Sequence, residues 1–244
     1  MKNTKISVVT PCFNEGKNIR KNIKRVDDYL KQRFDRYEII AVNDGSRDNT
    51  ADELLALQQE IGLKFINNKE NQGKGGAVRD GMLATSKESD IAMFLDSDLG
   101  IPIEELEKFV SEIQSGHDIV IASRFVPGLK IIQSVQLHRK LMEKAFRLIR
   151  MVITNNWNVK DTQCGFKVFR REAAMKIFPK LTVKRFAFDA EVIFVANKCG
   201  YKIKELPIHL QNPPSRSLRI FRDPMNMIWD LLRIRRNDWK RKYE

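Results

Sequence analysis

Cysteine is scarce in this chain, and long apolar runs are missing from it. The 244 residues contain three widely spaced cysteines, Cys12, Cys164 and Cys199, with no Cys-x-x-Cys pair. Such cysteine usage predicts reduced thiols in a cytosolic compartment and no structural zinc site. The sequence also has no run of about 18 apolar residues and no recognisable signal peptide before the first predicted strand, so we expect no segment that spans a membrane.

Acidic residues are in the minority, because 31 Asp and Glu face 44 Lys and Arg, which gives a formal net charge of +13. A surplus of this size predicts a polyanionic partner: a nucleic acid, a phosphate-bearing substrate or an anionic membrane surface. The chain has neither basic strands interleaved with aromatic residues nor a recognisable nucleic-acid-binding motif. We therefore expect no nucleic-acid partner, and a nucleic-acid-binding or nucleotidyl-transfer protein is kept only as the third hypothesis.

Apolar runs and amphipathic helical patterns alternate through the first half of the chain. Apolar runs predict strands at 5–11, 38–42, 63–67, 91–95 and 118–122. The first helix is predicted from Asn18 to about Gln32, because Ile19, Ile23 and Val26 recur at helical spacing. This alternation predicts an α/β domain with a parallel sheet that is covered by helices on both faces.

Two aspartates follow the most apolar of these runs. Asp96 and Asp98 come directly after Ile-Ala-Met-Phe-Leu, and Pro102 prevents the strand from continuing smoothly. Unpaired carboxylates are not tolerated inside a strand, whereas α/β sheets bind ligands at the carboxyl ends of their strands. There the two carboxylates can share Mg²⁺ or Mn²⁺, which in turn can take the oxygens of a diphosphate. The alternative interpretation is a solvated turn after a core strand.

Polar residues also follow other predicted strands, at Glu15 and at Asp44. Their convergence on one edge of the sheet is expected of a nucleotide site. The segment 71–76, Asn-Gln-Gly-Lys-Gly-Gly, predicts a flexible loop whose backbone N–H groups can approach a phosphate at the start of the next helix. Its spacing is not that of a Walker A loop, and a plain flexible loop is the alternative.

Two basic amphipathic helices are predicted in the second half of the chain. The apolar face of residues 135–154 carries Leu137, Leu141, Ala145, Leu148 and Val152, and that of residues 223–243 carries Met225, Ile228, Trp229 and Leu232. Residues 216–244 hold nine Lys and Arg against four Asp and Glu. Such helices suit a membrane interface, and packing against the parent domain or a second subunit is the alternative. We therefore divide the chain into a domain over 1–210 and a basic amphipathic extension over 211–244.

The sequence as a whole resembles the inverting family 2 glycosyltransferases of GT-A fold, and among them the polyprenyl-phosphate sugar synthases. The resemblance spans roughly residues 5–210 and rests on seven segments in a fixed order. They are Val-Val-Thr-Pro-Cys-Phe-Asn-Glu (8–15), Val-Asn-Asp-Gly-Ser-Arg-Asp-Asn-Thr (42–50), Gly-Lys-Gly-Gly-Ala-Val-Arg (73–79), Leu-Asp-Ser-Asp (95–98), Ala-Ser-Arg-Phe (122–125), Asp-Thr-Gln-Cys-Gly-Phe-Lys (161–167) and Phe-Asp-Ala-Glu (188–191). The third and sixth look most like the dolichyl-phosphate glucosyltransferase branch, with the mannosyl branch as the nearest alternative.

This resemblance implies a three-layer α/β/α GT-A domain with a mostly parallel central sheet. It implies an enzyme that transfers a hexose, with UDP-glucose as the favoured donor, with inversion onto the phosphate of a polyprenyl or dolichyl phosphate. The alternatives are a GDP-mannose-dependent mannosyltransferase and a family 2 transferase that acts on a saccharide hydroxyl. The implied cofactor is Mg²⁺ or Mn²⁺, and the implied setting is peripheral binding to an anionic surface on the cytoplasmic face of a membrane, with a homo-oligomer left open.

The resemblance also assigns roles to individual residues. The implied metal ligands are Asp96 and Asp98. The implied nucleotide contacts are Pro11, Phe13, Glu15, Asp44, Gly73, Lys74 and Asp96. The implied contacts to the acceptor phosphate are Arg124, Arg139 and Arg216, and the implied catalytic group is Asp96, Asp98, Arg124 and Asp189. Because a phosphomonoester acceptor is mostly ionised near pH 7, no general base is required, and Asp189 is expected to bind the donor sugar or support the site.

Three positions depart from the family pattern. Asn43 replaces the first aspartate of the usual Asp-Asp-Gly-Ser, so contacts to uracil would rest on Asp44. Gly100 stands where some mannosyl synthases carry a glutamine metal ligand, which predicts fewer protein ligands and more water or phosphate oxygens around the metal. The late Gly-Ser-Lys stretch of the family is only approximated by Ser-Arg-Ser at 215–217.

Overall fold

The computed structural model describes residues 3–128, 130–131, 137–210 and 222–244, with side chains at all of these except 130–131, 137–142, 210 and 222–224. Strands and helices alternate along the described chain, as the sequence predicts. One central sheet carries helices on both faces, so the protein has the three-layer α/β/α architecture that we expected.

The sheet is mostly parallel. The strands are β1 (Lys5–Cys12), β2 (Arg36–Asp44), β3 (Lys64–Asn68), β4 (Ile91–Leu95), β5 (Ile119–Ser123), β6 (Lys130–Ile131), β7 (Phe166–Arg170), β8 (Ile203–Pro207) and β9 (His209–Leu210). Seven of them form the central sheet in the order β3-β2-β1-β4-β7-β5-β8, and β6 pairs with β9 separately. Within the central sheet, β7 runs antiparallel to both of its neighbours, while the other pairs are parallel.

The helices divide between the two faces of the sheet. They are α1 (Ile19–Arg33), α2 (Thr50–Ile61), α3 (Lys74–Leu83), α4 (Leu106–Gln114), α5 (Leu137–Thr154), α6 (Arg171–Ile177), α7 (Phe188–Lys198) and α8 (Arg222–Trp239). The first face is covered by α1, α2 and α4, and the second by α3, α6 and α7 together with one side of α5 and of α8.

Successive residues of the central strands face opposite layers. Val8 lies in the core beneath α1, and Val9 lies in the core beneath α3. Ala41 and Val42 alternate in the same way on the neighbouring strand. Because helices cover both faces, these strands are apolar on both sides along most of their length, which is why they appear in the sequence as nearly continuous apolar runs.

The glycine-rich segment 71–76 is not a loop over its whole length, which corrects the prediction. Its last three residues form the first turn of α3. A Cβ at Gly75 would lie 2.5 Å from the Cβ of Phe188 and 2.7 Å from the carbonyl oxygen of Val183. Glycine at this position therefore serves the close packing of α3 against the start of α7 and the chain before it, rather than flexibility.

The helices α5 and α8 contact each other and the core on the α3 side of the sheet. The buried residues of α8 include Met227, Leu231 and Ile234. Five of the residues predicted to form the apolar faces are instead exposed: Leu148, Val152, Met225, Trp229 and Leu232. Each helix thus packs one apolar side against the core, partly buried in α5 and buried in α8, and leaves apolar residues on a second side uncovered. Among the described helices, none is long and apolar enough to cross a bilayer.

Candidate active site

The carboxyl ends of β2, β1 and β4 are neighbours, so the residues that follow these strands share one edge of the sheet. Asp44 ends β2 and Asp96 directly follows β4. The backbone N–H groups of Gln72 and Gly73 donate to the Asp44 carboxylate at 2.7 and 2.9 Å. The next residue, Lys74, places its Nζ 2.6 Å from Asp96 Oδ1. The start of α3 therefore connects the two aspartates, which lie on one edge as expected.

Asp44 has a structural role that does not depend on a nucleotide. Its side chain is buried, and each of its oxygens accepts one of the two backbone hydrogen bonds. These bonds fix Gly73, whose φ of +91° lies in the left-handed region that favours glycine. A Cβ there would also lie 2.5 Å from the carbonyl oxygen of Lys184. Both oxygens of Asp44 therefore already have backbone partners in the absence of a nucleotide. The contact of Asp44 with uracil stays a prediction.

Asn43, the departure from the family pattern, ties β2 to its surroundings. Its Nδ2 donates to Asn67 Oδ1 at 2.7 Å on the neighbouring strand β3. Its Oδ1 accepts from the backbone N–H of Ser46 at 3.2 Å in the turn that follows β2. An amide supplies both the donor and the acceptor that these two partners use. The Asn43 side chain is almost fully buried, and it therefore helps to hold the backbone around the site in place.

Asp96 and Asp98 lie in a tight turn after β4. The carbonyl of Asp96 accepts from the N–H of Leu99 at 3.1 Å, and Asp98 Oδ1 accepts from the N–H of Gly100 at 3.0 Å. Leu99 has a φ of 50°, a left-handed conformation that costs a residue with a Cβ roughly 1–2 kcal/mol. Its buried side chain compensates for this strain by packing in the core on the α1 side. The turn is thus held in place by its surroundings before any ligand binds.

Gly165 allows the chain to pass close to Asp96. Its carbonyl accepts from the N–H of Asp96 at 3.1 Å, just before β7 begins. A Cβ at position 165 would lie 2.1 Å from Asp96 Oδ2, so any other residue would displace the carboxylate. The Asp96 side chain is 40% exposed and is therefore accessible to a ligand from the solvent side.

Asp96 and Asp98 offer carboxylate oxygens of the kind that Mg²⁺ and Mn²⁺ prefer. Within the described ranges, no group of three or more His, Cys, Asp or Glu side chains is arranged to hold a metal ion. The two aspartates fit a cation that takes one or two carboxylates from the protein and its other ligands from phosphate and water. The number of protein ligands expected from Gly100 stays a prediction.

A buried ion pair lies next to this turn. Lys167 on β7 is fully buried, and its Nζ donates to the carbonyl of Cys164 at 2.6 Å and to the carboxylate of Asp189. Asp189, in the first turn of α7, is also buried. Burial raises the pKa of Asp189 above its usual value, although the charges of Lys167 and Lys74 act in the opposite direction. This ion pair holds Asp189 in the interior beside the site, and its role, whether binding the donor sugar or supporting the site, stays a prediction.

The loop after β1 is tied to the turn after β2. The backbone N–H of Asn14 donates to Ser46 Oγ at 2.9 Å, and that of Glu15 donates to Thr50 Oγ1 at 2.8 Å. The N–H of Arg47 returns a bond of 2.9 Å to Asn14 Oδ1. These bonds hold the first loop at the same edge as the aspartates. The predicted nucleotide contacts Pro11, Phe13 and Glu15 lie on β1 and this loop and are partly buried.

Arg124, predicted to contact the acceptor phosphate, is held by two carboxylates. Its Nε and Nη2 donate to Asp161 at 2.8 and 3.1 Å, and its Nη1 donates to Glu143 at 3.2 Å. Burial acts to raise the pKa of Asp161, but the charge and hydrogen bonds of Arg124 lower it below its usual value. An acceptor phosphate would therefore have to compete with these carboxylates for the guanidinium.

Glu191 links the C-terminal end of the chain to the segment beside α3. It is fully buried and accepts hydrogen bonds from Thr182 N at 2.9 Å, Val183 N at 2.8 Å and Tyr243 Oη at 2.6 Å. The next residue, Lys184, accepts a bond of 3.1 Å at its carbonyl from Gly76 N in the first turn of α3. Glu191 therefore supports the start of α3 from behind, through the segment that contains Thr182, Val183 and Lys184.

Sequence reasoning and the structure differ in which residues they bring to the site. Arg216 lies outside the described residues, and Arg139 lies on α5 but its side chain is not among those described. Lys167 and Asp161 were not identified from the sequence as partners of Asp189 and Arg124. A lysine inside the apolar strand Phe-Lys-Val-Phe was the available signal, because a buried charge requires a partner.

Comparison with known proteins places the chain among glycosyltransferases. The family model "Glycosyl transferase family 2" matches residues 7–178. The chain is 32% identical over 242 residues to the dolichyl-phosphate beta-glucosyltransferase of Homo sapiens, and the match covers 94% of this chain and 74% of the human protein. It is also 32% identical over 250 residues to the dolichyl-phosphate beta-glucosyltransferase of Saccharomyces cerevisiae, covering 94% of this chain and 74% of the yeast protein.

A solved structure shares the fold. Glucosyl-3-phosphoglycerate synthase from Mycobacterium tuberculosis, crystallised with Mn²⁺, UDP-glucose and phosphoglyceric acid, superposes with a TM-score of 0.69 at 19% identity. The superposition covers 95% of this chain and 79% of the synthase. At this level of identity the likeness shows the GT-A fold alone.

Proposed function

The chain belongs to glycosyl transferase family 2, and from this premise we propose that it transfers glucose from UDP-glucose, with inversion, to the phosphate of a polyprenyl phosphate such as dolichyl phosphate. The observation that carries the proposal is the match to dolichyl-phosphate beta-glucosyltransferases, at 32% identity over 94% of the chain. The aspartates gathered at one edge of the sheet support it, because that edge is where a nucleotide sugar binds in an α/β fold.

The acceptor can attack without help from a base. A phosphomonoester has a second pKa near 6, so its oxygens are already ionised at pH 7. Asp189, the acid considered for such a role, is buried and bonded to Lys167. This arrangement favours a phosphate acceptor over a saccharide hydroxyl, which would need an accessible base to remove its proton.

Departure of the nucleotide is the demanding step, because negative charge accumulates on the diphosphate. A divalent cation, when bound, supplies Lewis-acid stabilisation of that charge. Asp96 and Asp98 would hold the cation, and the solved synthase that shares this fold was crystallised with Mn²⁺ and UDP-glucose. The positive end of the α3 dipole, beside Gly73 and Lys74, favours an anion at the same place.

The uncovered apolar sides of α5 and α8 support an acceptor that resides in a membrane. All three tryptophans of the chain, Trp157, Trp229 and Trp239, are more than half exposed, at 56%, 65% and 75%. Exposed tryptophan beside arginine and lysine is typical of helices that lie in a membrane interface. We therefore propose that residues 211–244, together with α5, bind an anionic membrane surface peripherally, which would bring the active site to the acceptor headgroup.

The cytoplasmic face is the proposed side of that membrane. Cys12 and Cys164 are buried and Cys199 is partly buried, and all three are free thiols. Free thiols persist in reducing compartments, whereas secreted proteins of this size usually pair theirs.

The donor is tested directly by transfer to extracted lipid. The protein, Mg²⁺ and polyprenyl phosphate are incubated with radiolabelled UDP-glucose, UDP-galactose or GDP-mannose in separate reactions, and the organic phase is counted. We expect label in the lipid with UDP-glucose, at a rate at least about tenfold above the other donors, and a β-linked product because inversion of an α-donor gives a β-glycoside. Preference for GDP-mannose would contradict the proposed donor and leave the lipid acceptor standing. Label retained only in the aqueous phase would contradict the lipid acceptor.

A further inference from the structure

We propose that the ammonium of Lys74 is the resident counter-ion of Asp96, and that the divalent cation and the nucleotide diphosphate displace it together. Lys74 would then make cation binding depend on the nucleotide, so that the free enzyme binds the metal weakly and the donor complex binds it tightly. This inference rests on the proposed function, because it concerns the same cation and the same donor.

Lys74 and Asp96 form an ion pair at the edge of the sheet. Lys74 Nζ lies 2.6 Å from Asp96 Oδ1, within range of a charge-assisted hydrogen bond. In the part of the chain that the structure describes, no other cationic side chain pairs with Asp96. The Lys74 side chain is 19% exposed and that of Asp96 is 40% exposed, so the pair lies at the open edge of the sheet and not in the core.

Two further carboxylates, those of Asp189 and Asp98, act on the ammonium of Lys74. Lysine is ordinarily cationic at neutral pH, and the ammonium of Lys74 is attracted by Asp189 and Asp98 as well as by Asp96. One ammonium therefore lies among three carboxylates, two of which are the proposed metal ligands. Asp189 has a second cationic partner in Lys167 and keeps its pairing if Lys74 moves.

A divalent cation bound at Asp96 would repel the ammonium of Lys74. A divalent cation at Asp96 would lie within a few ångströms of the ammonium, and like charges at that distance repel strongly when partly shielded from water. Lys74 must therefore move when the metal binds. Its flexible stem allows this, while Asp44 keeps the backbone of Gly73 in place through its hydrogen bond of 2.9 Å.

The diphosphate supplies the new partner. An ammonium has three donors and no acceptor, so it needs anionic oxygens wherever it moves. The phosphates of a donor that binds at the edge shared by Asp44 and Asp96 would provide these oxygens next to the first turn of α3. The exchange of one carboxylate for phosphate oxygens thus costs the lysine little when the nucleotide is present and much when it is absent.

The test measures Mn²⁺ affinity by electron paramagnetic resonance of the free ion, with and without saturating UDP, in the full-length protein. We expect the Lys74→Met variant to bind Mn²⁺ about tenfold more tightly than the wild type without UDP, equivalent to about 1.4 kcal/mol. UDP should tighten Mn²⁺ binding strongly in the wild type and about tenfold less in the variant, because linkage makes this coupling reciprocal. Lys74→Arg keeps a cation at the position and should behave like the wild type.

The matched control is Lys184→Met, which removes the same charge from a neighbouring exposed lysine whose Nζ lies 3.4 Å from Gln72 Oε1 and not beside Asp96. It should change Mn²⁺ affinity by less than about twofold. The inference is overturned if Lys74→Met binds Mn²⁺ no more tightly than the control does, with its fold verified by circular dichroism. Failure of the wild type to bind either Mn²⁺ or UDP would instead overturn the proposed function as well.

Discussion

Lys167 places a full positive charge in the interior of the protein, beside the reaction site. Its ammonium is fully buried and is bonded to Asp189 and to the carbonyl of Cys164. A buried pair of this kind contributes little net stability, since desolvation offsets most of the attraction, but removal of one partner leaves an unpaired charge. The pair therefore determines where the start of α7 lies relative to β7.

We predict that Lys167→Met lowers the free energy of unfolding by about 3–5 kcal/mol, because Asp189 is then left buried without its main partner. Urea unfolding followed by circular dichroism measures the change. The double variant Lys167→Met with Asp189→Leu should recover most of the loss. Lys21→Met, which removes a solvent-exposed lysine from α1, is the control and should leave the midpoint unchanged. A loss in the double variant as large as the sum of both single losses would contradict the pairing.

Two elements, α5 and α8, each combine an apolar side that packs against the core with an uncovered one. In α8 the buried side includes Met227 and Leu231, and the uncovered side includes Trp229 and Leu232. Deletion of the whole helix would remove both sides and disturb the core. Point substitutions on the uncovered side are therefore the sharper test of membrane binding.

The double substitution of Trp229→Ser and Leu232→Ser is expected to weaken binding to anionic vesicles by about tenfold or more, since it removes apolar area that would be buried in the interface. Co-sedimentation with vesicles that contain phosphatidylserine measures the partitioning. Leu55→Ser on α2, where the leucine is 50% exposed on the other face of the sheet, is the control and should leave partitioning unchanged. Equal partitioning of the double variant and the control would exclude α8 as the membrane contact.

At the scale of the whole molecule, most of the architecture follows from patterns in the sequence. The apolar stripe that begins with Ile19 and Ile23 predicted α1, and those residues are buried. The antiparallel direction of β7 was not predictable, because the direction of a strand depends on the connections around it and not on its own apolar residues. The buried side of α8 was also missed, since a helix with two apolar sides gives no single stripe to identify.

The sequence predicted which acidic residues lie at the candidate site, but it did not predict which residues they bond to. Asp44 and Asp96 were predicted at one edge because the carboxyl ends of parallel strands meet there, and the structure places them so. Their bonds to Gly73 and Lys74 depend on the first turn of α3, which the sequence presents as a flexible glycine-rich loop. Gly75 is required because a side chain there would collide with Phe188. These two residues are far apart in the chain, so the sequence alone does not reveal the contact.

The most direct test of the account is transfer of radiolabelled glucose from UDP-glucose to polyprenyl phosphate by the Asp98→Asn variant, measured beside the wild type with Mg²⁺ and with EDTA. We predict that the substitution lowers kcat at least about 100-fold, since charge stabilisation of a leaving group typically contributes that much or more, and that EDTA abolishes wild-type transfer. Glu104→Gln, an exposed carboxylate nearby in the chain that pairs with Arg25, should retain full activity. Substantial transfer by Asp98→Asn, or by the wild type in EDTA, would contradict the claim that these aspartates hold a catalytic cation.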